Sequence, residues 1–298
     1  MDRDIELRHL RYFVAVAEEL HFGRAAQRLH LAQPPLSQQI RKLEEILGYP
    51  LFLRTSRSVA LTATGQAFLQ SARRTLRNVQ SDIEEARSVG RGEVGSLHIG
   101  FVGSAMLATL PAMLRAYTQA YPRVRLHLHE SFTSSVLEGL ENGTLDAGIL
   151  RDGDPTDGLD ITTIFSEPYV AVLPASHPRA GQKSIAPASL RGESLVFHPR
   201  SAGVRAFEKP MSLFDRHGFR PPIVQEASHW VTILELVGSG LGISIAPACV
   251  RRIATSDVVC LPLRGAGIAS NIELACITHD TRPIVRQFAH IVSSTRHR

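Results

Sequence analysis

The spacing of apolar residues over the first 62 positions predicts three short helices followed by a hairpin. Residues 7–20 carry apolar side chains at intervals of three and four, as does a shorter stretch at 24–29, and residues 30–33 form the turn between that stretch and a third helix. The third helix has an apolar stripe at Leu36, Ile40, Leu43 and Leu47, and Gly48 ends it. Runs 51–54 and 58–61 read as the two strands of the hairpin.

The third helix has a second, polar face opposite its apolar stripe. Pro34 and Pro35 suit its first turn, because proline lacks the N–H group that would be unpaired there. The residues on or beside the polar face are Gln33, Pro34, Pro35, Ser37, Gln38 and Arg41. Two helices joined by a tight turn, with short polar groups on the second, are typical of a helix-turn-helix that enters a DNA major groove about 12 Å wide.

The arginines of the hairpin favour DNA binding over the alternative, which is an ordinary three-helix bundle with a solvated polar face. Arg54 and Arg57 lie where a wing would contact the DNA backbone or minor groove. Residues 1–92 also carry four of the five net positive charges of the chain, which favours a polyanionic partner for this part.

A long helix follows, with Thr62 as its N-cap, and ends at Gly90-Arg91-Gly92. Its apolar positions repeat at alternating intervals of three and four, which favours a dimerisation seam. The seam residues are Leu69, Ala72, Leu76, Val79 and Ile83. The alternative is a helix packed against its own domain.

From residue 95 strand-like runs alternate with helical patterns, which predicts an α/β fold with largely parallel sheets. We expect a winged helix-turn-helix at 1–62, a linker helix and hinge at 63–92, and an effector-binding domain at 93–298. The last has room for two lobes, lobe I at about 93–166 and 267–298 and lobe II at about 167–266. Ligands of such folds bind in the crevice between the lobes.

Three positions are candidates for holding an anion in that crevice. Ser104 and Thr133 each follow a predicted strand and precede a helix, and Ser201 and Gly203 precede a helix of lobe II. Unpaired backbone N–H groups and the helix dipole favour a carboxylate at such ends. The alternative for each position is a simple N-cap.

Composition narrows the class of protein. The 298 residues contain 44% hydrophobic residues and three cysteines that occur singly, and contain no apolar run of membrane-spanning length and no visible secretory signal. We therefore expect a cytoplasmic protein without a membrane association, a metal or a cofactor. His127 and His129 share a strand face, but no third ligand has useful spacing, so they read as surface histidines. No catalytic constellation appears, so we expect no enzyme activity.

Residues 7–65 resemble the N-terminal domain of the LysR-type transcriptional regulators. The matching stretches are L-R-Y-F-V-A-V-A-E at 10–18, F-G-R-A-A-Q-R-L-H at 22–30, Q-P-P-L-S-Q-Q-I-R-K-L-E at 33–44, L-G-Y-P-L-F-L-R at 47–54 and L-T-A-T-G at 61–65. The resemblance implies a winged helix-turn-helix, a dimerising linker helix and a type 2 periplasmic-binding-protein-like effector domain. It also implies a homotetramer, a dimer of dimers, on interrupted palindromes of double-stranded promoter DNA, with RNA polymerase as a further partner.

The resemblance also carries residue roles. It matches Gln33, Pro34, Ser37 and Gln38 to positions that meet bases or phosphates, and Arg54 to the arginine entering the wing. Pro35 departs from the alanine often found in the family, although the aromatic-catabolism branch also carries Pro-Pro. Arg41, Arg57 and Thr62 are added from their facing and charge alone.

The stretch G-F-V-G-S-A-M at 100–106, with Leu110-Pro111 after it, resembles the branch that answers to muconate, chloromuconates and benzoate. By that similarity Ser104, Thr133 and Arg151 line an effector cleft, and the effector is a small carboxylate of aromatic catabolism. An aromatic residue expected near 206 is replaced by Ala206, with Phe207 one position on. The competing hypothesis is an enzyme or solute-binding protein that carries a DNA-binding appendage.

Overall fold

The computed structural model of the chain describes residues 5–55 and 58–294. The chain divides into two compact units, Met1–Ser88 and Val89–Arg298. The first unit contains helices α1 (Leu7–Glu19), α2 (Phe22–Arg28) and α3 (Gln33–Leu47), strands β1 (Phe52–Arg54) and β2 (Val59–Leu61), and helix α4 (Ala63–Gly90), which runs just past its end.

The core of the first unit is built by the predicted apolar faces. Leu36, Ile40 and Leu43 of α3 are fully buried, and Phe13 of α1 packs its ring against Phe52 at 5.4 Å between centroids. Gly48 ends α3 in the left-handed region, at a φ of 76°, as expected for a glycine C-cap. The predicted stripe of this helix is therefore confirmed.

A buried polar contact joins α1 to α3. His9 of α1 is fully buried, and its Nδ1 accepts a hydrogen bond from the Glu6 backbone N–H at 3.0 Å. Because Nδ1 accepts, Nε2 carries the proton and donates to Oε1 of Gln39 at 2.9 Å. This pair satisfies the imidazole inside an apolar core.

The hairpin is tied to the start of α4. Strands β1 and β2 pair antiparallel, with Phe52 opposite Leu61. Thr62 caps α4, since its hydroxyl accepts from Gly65 N–H and donates to the Pro50 carbonyl, both at 2.8 Å. A Cβ at Gly65 would lie 2.1 Å from the Leu51 carbonyl oxygen, so only glycine permits this close approach.

The second unit contains helices and strands in alternation. The strands are β3 (Gly95–Phe101), β4 (Val124–Glu130), β5 (Ala147–Arg151), β6 (Leu159–Pro174), β7 (Leu195–Phe197), β8 (Ile223–Glu226), β9 (Ser244–Pro247), β10 (Val258–Pro262) and β11 (Ala269–Ile277). The helices are α5 (Gly103–Met106), α6 (Leu110–Ala120), α7 (Thr133–Glu141), α8 (Val204–Asp215), α9 (Trp230–Gly238) and α10 (Pro283–Ser294).

The main sheet of this unit is mixed, so the prediction of largely parallel sheets was wrong in detail. Seven strands run in the order β10-β6-β11-β5-β3-β4, with β9 also on β6. The pairs β3–β4 and β3–β5 are parallel, as is the separate pair β7–β8, whereas β6, β9, β10 and β11 form antiparallel pairs. The long strand β6 runs from lobe I into lobe II, and β11 pairs antiparallel with the first part of β6.

Each lobe has its own apolar core. Lobe I buries Leu97, Tyr117 and Phe288 among the residues of β3, α6 and α10. Lobe II buries Phe197, Phe214 and Ile245 around β6, β7 and α8. Among the described residues no helix is long and apolar enough to span a membrane.

Candidate DNA-binding surface and effector cleft

The predicted reading face of α3 lies at the surface. Gln33, Pro34, Pro35, Gln38 and Arg41 are exposed, whereas the neighbouring apolar positions are buried. Gln33 is the first residue of α3, one position earlier than the predicted start, so its side chain extends from the helix N-terminus. The exposed end of α3 therefore carries the polar side chains of Gln33, Gln38 and Arg41 beside two prolines.

Ser37 differs from its neighbours on this face because it is half-buried. Its short side chain lies one residue after the buried Leu36, at the edge between the two faces. The structure thus places Ser37 at the border of the reading surface rather than at its tip.

Arg54 at the wing has partners within its own unit. Its Nη2 lies 2.6 Å from Oε2 of Glu44, and its guanidinium sits 4.9 Å from the centre of the Phe22 ring. The other oxygen of Glu44 accepts the backbone N–H groups of Leu51 and Phe52 at 2.8 and 3.1 Å. Glu44 therefore fastens the hairpin to α3.

Arg57 and Thr62 are the other two residues predicted to contact DNA at this surface. Arg57 lies outside the described residues. The Thr62 hydroxyl is engaged on both sides by the cap and the Pro50 carbonyl, so a DNA contact by this side chain would compete with two internal hydrogen bonds.

The heptad seam of α4 divides into two parts. Ala72 is buried in the core of the first unit, and Leu69 and Leu76 pack against the same core. Ala72 has almost no exposed surface to offer to a partner, whereas Leu69, Leu76 and Val79 are half-buried and Ile83 is exposed. Dimerisation through these four partly exposed residues stays a prediction.

In the second unit Arg151 forms the centre of a buried polar network. Its Nε donates to Oγ of Ser104 at 2.8 Å, and its Nη1 donates to Oγ of Ser270 at 2.7 Å. Its Nη2 forms an ion pair with Oε1 of Glu167 at 2.9 Å. The guanidinium therefore has internal partners on all three nitrogens and its charge is balanced.

Glu167 and Cys249 complete this network. Oε2 of Glu167 accepts the Cys249 backbone N–H at 2.6 Å, and the Cys249 sulfur lies 3.7 Å from Nη2 of Arg151. Burial raises the pKa of the Cys249 thiol to about 12, so the thiol stays protonated and is a poor nucleophile. Sequence reasoning missed Glu167, 16 positions from Arg151, and Ser270, 119 positions away, because strand pairing and not local spacing brings both to Arg151.

Thr133 and the start of α8 meet across the two lobes. The Thr133 hydroxyl lies 3.2 Å from the Arg151 carbonyl oxygen, to which it donates. A Cβ at Gly203 would approach the Thr133 Cβ to 3.2 Å, and Ser134 Oγ donates to the Ser201 carbonyl at 2.9 Å. The N-terminal ends of α7 and α8 therefore face each other, and Ser104, Thr133, Arg151, Ser201 and Gly203 converge.

A second set of charged residues joins the lobes beside this cleft. Asp152 is fully buried with a φ of 46°, and its carboxylate accepts from Tyr169 Oη at 2.9 Å and Ser270 Oγ at 3.1 Å. Lys209 of α8 forms an ion pair with the same carboxylate. Arg205 Nη1 donates to the Gly153 carbonyl at 2.9 Å. No local pattern predicts these contacts, because Tyr169 lies 17 positions from Asp152 and the other pairs are more than fifty positions apart.

Aromatic side chains form part of lobe II beside α8. Phe207 is buried in the lobe II core, and Ala206 lies at the Gly203 side. The His198 ring stacks on Phe197 at 4.2 Å and lies 6.4 Å from Trp230 between ring centres. Burial lowers the pKa of His198 to about 4, so this imidazole is neutral at pH 7. His198 was not among the predicted site residues.

A winged helix-turn-helix joined to a two-lobed domain with a polar cleft defines a DNA-binding regulator with a ligand-binding domain, and not an enzyme. Residues 7–66 match the family model described as "Bacterial regulatory helix-turn-helix protein, lysR family", and residues 90–295 match "LysR substrate binding domain". The chain belongs to the LysR family of transcriptional regulators.

Known proteins and solved structures are similar to this chain over more than nine-tenths of its length. The chain is 39% identical to the HTH-type transcriptional regulator AlsR of Bacillus subtilis (strain 168), over 96% of this chain and 95% of that protein. It is 37% identical to the HTH-type transcriptional regulator BenM of Acinetobacter baylyi (strain ATCC 33305 / BD413 / ADP1), over 91% and 90%. The crystal structure of full-length CbnR complexed with its target DNA matches with a TM-score of 0.81 at 31% identity, covering 98% of this chain and 100% of that one.

Proposed function

We propose that this LysR-type regulator reads an interrupted palindrome in promoter DNA with α3 and responds to a small carboxylate bound between the lobes of its second unit. The observation that carries the proposal is the meeting of the α7 and α8 N-termini beside Ser104 and Arg151. The sequence resemblance to the muconate and benzoate branch favours an acid from aromatic catabolism.

The chemistry of the cleft favours an anion of small size. The first N–H groups of α7 and α8 have no partners within their helices, but the Arg205 N–H of α8 already donates to Oδ1 of Asp154 at 3.1 Å. An added anion would therefore use the remaining N–H groups and the positive end of the α7 dipole. The Ser104 and Thr133 hydroxyls already have internal partners, so a carboxylate would bind the backbone N–H groups and compete for these hydroxyls. Ala206 in place of an aromatic side chain widens the cleft on the α8 side.

DNA reading follows from the exposed end of α3. Glutamine at the helix N-terminus forms paired hydrogen bonds with the N6 and N7 edge of adenine. Arg41 lies about one helical turn after Gln38 on the same face and is long enough to reach a guanine edge or a phosphate. The solved complex of CbnR with its target DNA supports this use of the unit.

The oligomer expected from the resemblance is a tetramer, assembled as a dimer of dimers, that also engages RNA polymerase. We propose that α4 contributes through Val79 and Ile83, since the first half of its seam packs on its own unit. Replacing Ile83 by aspartate should lower the molar mass measured by sedimentation. An unchanged mass would exclude this face of α4 from assembly.

The DNA-binding proposal is tested by Gln33→Ala, with Gln70→Ala on the exposed side of α4 as a matched control. We expect Gln33→Ala to weaken binding to the operator by about 1–3 kcal/mol and to leave binding to random DNA unchanged. The operator is first located by footprinting the DNA upstream of the gene. Equal losses on both DNAs would refute base reading by Gln33.

The effector proposal is tested by calorimetric titration of the full chain with cis,cis-muconate and with benzoate. We expect at least one acid to bind and to change the footprint, and Thr133→Val to weaken its binding while Thr156→Val does not. Binding that leaves the footprint unchanged would exclude a ligand switch, and no binding by either acid would exclude the aromatic branch.

A further inference from the structure

Three histidines lie together on one face of the two strands at the end of the main sheet. In the parallel register His98 pairs with His127, and Gly100 pairs with His129. The His98 ring stacks on His127 with 4.5 Å between centres and 6° between planes, and lies 5.6 Å from the His129 ring. Sequence spacing showed only His127 and His129, and the fold brings His98 to them from the preceding strand.

The distance between a ring nitrogen of His98 and one of His129 matches the distance between two ligands of a metal ion. His98 Nδ1 lies 3.4 Å from His129 Nε2. Two imidazole nitrogens that bind one tetrahedral ion at roughly 2.0–2.1 Å each are about 3.3–3.4 Å apart. An ion can therefore take the place of the hydrogen bond between these two nitrogens once the rings turn enough for both nitrogens to face it.

His98 is held in place for this role by its backbone. The His98 N–H donates to Oδ2 of Asp146 at 2.8 Å, and the Asp146 N–H donates to the His98 carbonyl at 2.8 Å. Asp146 is itself paired with Arg282. With the His127 ring against one flat face, the His98 imidazole is positioned before any ligand arrives. Preorganised ligands of this kind strengthen metal binding.

We propose that His98 and His129 bind Zn²⁺, a transition metal ion that imidazole suits and that takes tetrahedral geometry. Within residues 5–55 and 58–294 no group of three or more His, Cys, Asp or Glu side chains is arranged around one ion, so water completes the coordination. The site is distinct from the effector cleft. It joins β3 and β4, the strands that precede Ser104 and Thr133.

The test is calorimetric titration of the tag-free full chain with ZnCl₂ at neutral pH. The exposed His129 is changed in His129→Gln, and the exposed His290 on α10 is changed in His290→Gln as the matched control. We expect His129→Gln to weaken Zn²⁺ binding by about tenfold or more, as loss of a ligand requires, and His290→Gln to leave it unchanged. Equal affinity in both variants would place the ion elsewhere and overturn the proposal.

Thermal unfolding separates loss of the site from loss of the fold. Without metal, His129→Gln should melt at the same temperature as the original chain, because its side chain is exposed. Added ZnCl₂ should raise the melting temperature of the original chain and of His290→Gln, but not of His129→Gln. A metal-induced rise that persists in His129→Gln also contradicts the proposal.

Discussion

The two units of the chain place their polar side chains in opposite environments. In the first unit the predicted DNA-reading groups come from consecutive turns of α3 and are mostly exposed. In the second unit Arg151, Asp152 and Glu167 are buried and each is paired with residues from other strands or from lobe II. A surface that reads a polyanion needs accessible groups, whereas a cleft that discriminates a small acid needs groups held by their neighbours.

The largest expected effect is the loss of stability on breaking the buried Arg151–Glu167 ion pair. Arg151→Met would leave the Glu167 carboxylate buried without its charge partner, at a cost of about 3–5 kcal/mol. The exposed Arg41→Ala in the first unit should change stability by less than about 0.5 kcal/mol. Urea unfolding of the full chain, followed for the transition of each unit, measures both.

Removing both charges of that pair sharpens the same comparison. Arg151→Met combined with Glu167→Leu should recover most of the lost stability, because neither charge is then left unpaired. If the double variant is as unstable as the single one, the loss comes from packing rather than from the buried charge.

The next largest expected effect is the change of stability with pH that His198 causes. The pKa of this imidazole is about 4 in the folded chain against an ordinary 6.5, because burial disfavours the charged form. The unfolded chain therefore takes up the proton first, and stability falls as the pH drops through 6.5 towards 4. The full difference amounts to about 3 kcal/mol.

His198→Phe keeps a ring at this position and removes the titration. Its unfolding free energy, measured by urea titration at several pH values, should vary less between pH 6.5 and 4 than that of the original chain. Parallel pH curves for the two proteins would show that His198 is protonated without penalty.

The close approach at Gly65 is a tight contact of the first unit. Gly65→Ala places a methyl group against the Leu51 carbonyl, and overpacking of this kind costs about 1–3 kcal/mol. Gly90→Ala in the same helix has no neighbour within 4 Å, so it should be neutral or slightly stabilising. Thermal unfolding of the two variants measures the difference, and equal melting temperatures would remove the steric role of Gly65.

The smallest effect concerns a buried hydroxyl of lobe II. Ser244 is fully buried, and its Oγ has no hydrogen-bond partner among the described residues. Ser244→Ala should therefore stabilise the chain by about 1 kcal/mol. The matched change Ser270→Ala removes a hydroxyl that bridges Arg151 and Asp152 and should destabilise it. Urea unfolding that finds equal signs for the two variants would contradict the argument.

The first unit could be predicted closely, whereas the second could be predicted only in outline. The apolar stripe of α3, its glycine C-cap and the Thr62 cap are local features, readable from neighbouring residues, and all are confirmed. The heptad of α4 was predicted from spacing alone, and the structure adds that Ala72 is buried in the unit while Leu69 and Leu76 pack partly against its core. A repeat of three and four residues shows that a helix face is apolar but does not show what covers it.

Sequence alone determined that this chain is a LysR-type regulator and placed Ser104, Thr133 and Gly203 at element ends. Only the tertiary structure decided that Glu167 and Ser270 neutralise and hold Arg151, that Lys209 reaches Asp152 from the other lobe, and that His98 joins His129. Helical periodicity can be recognised from residues a few positions apart. Strand pairing and buried ion pairs join residues from different elements, so neighbouring residues do not reveal them.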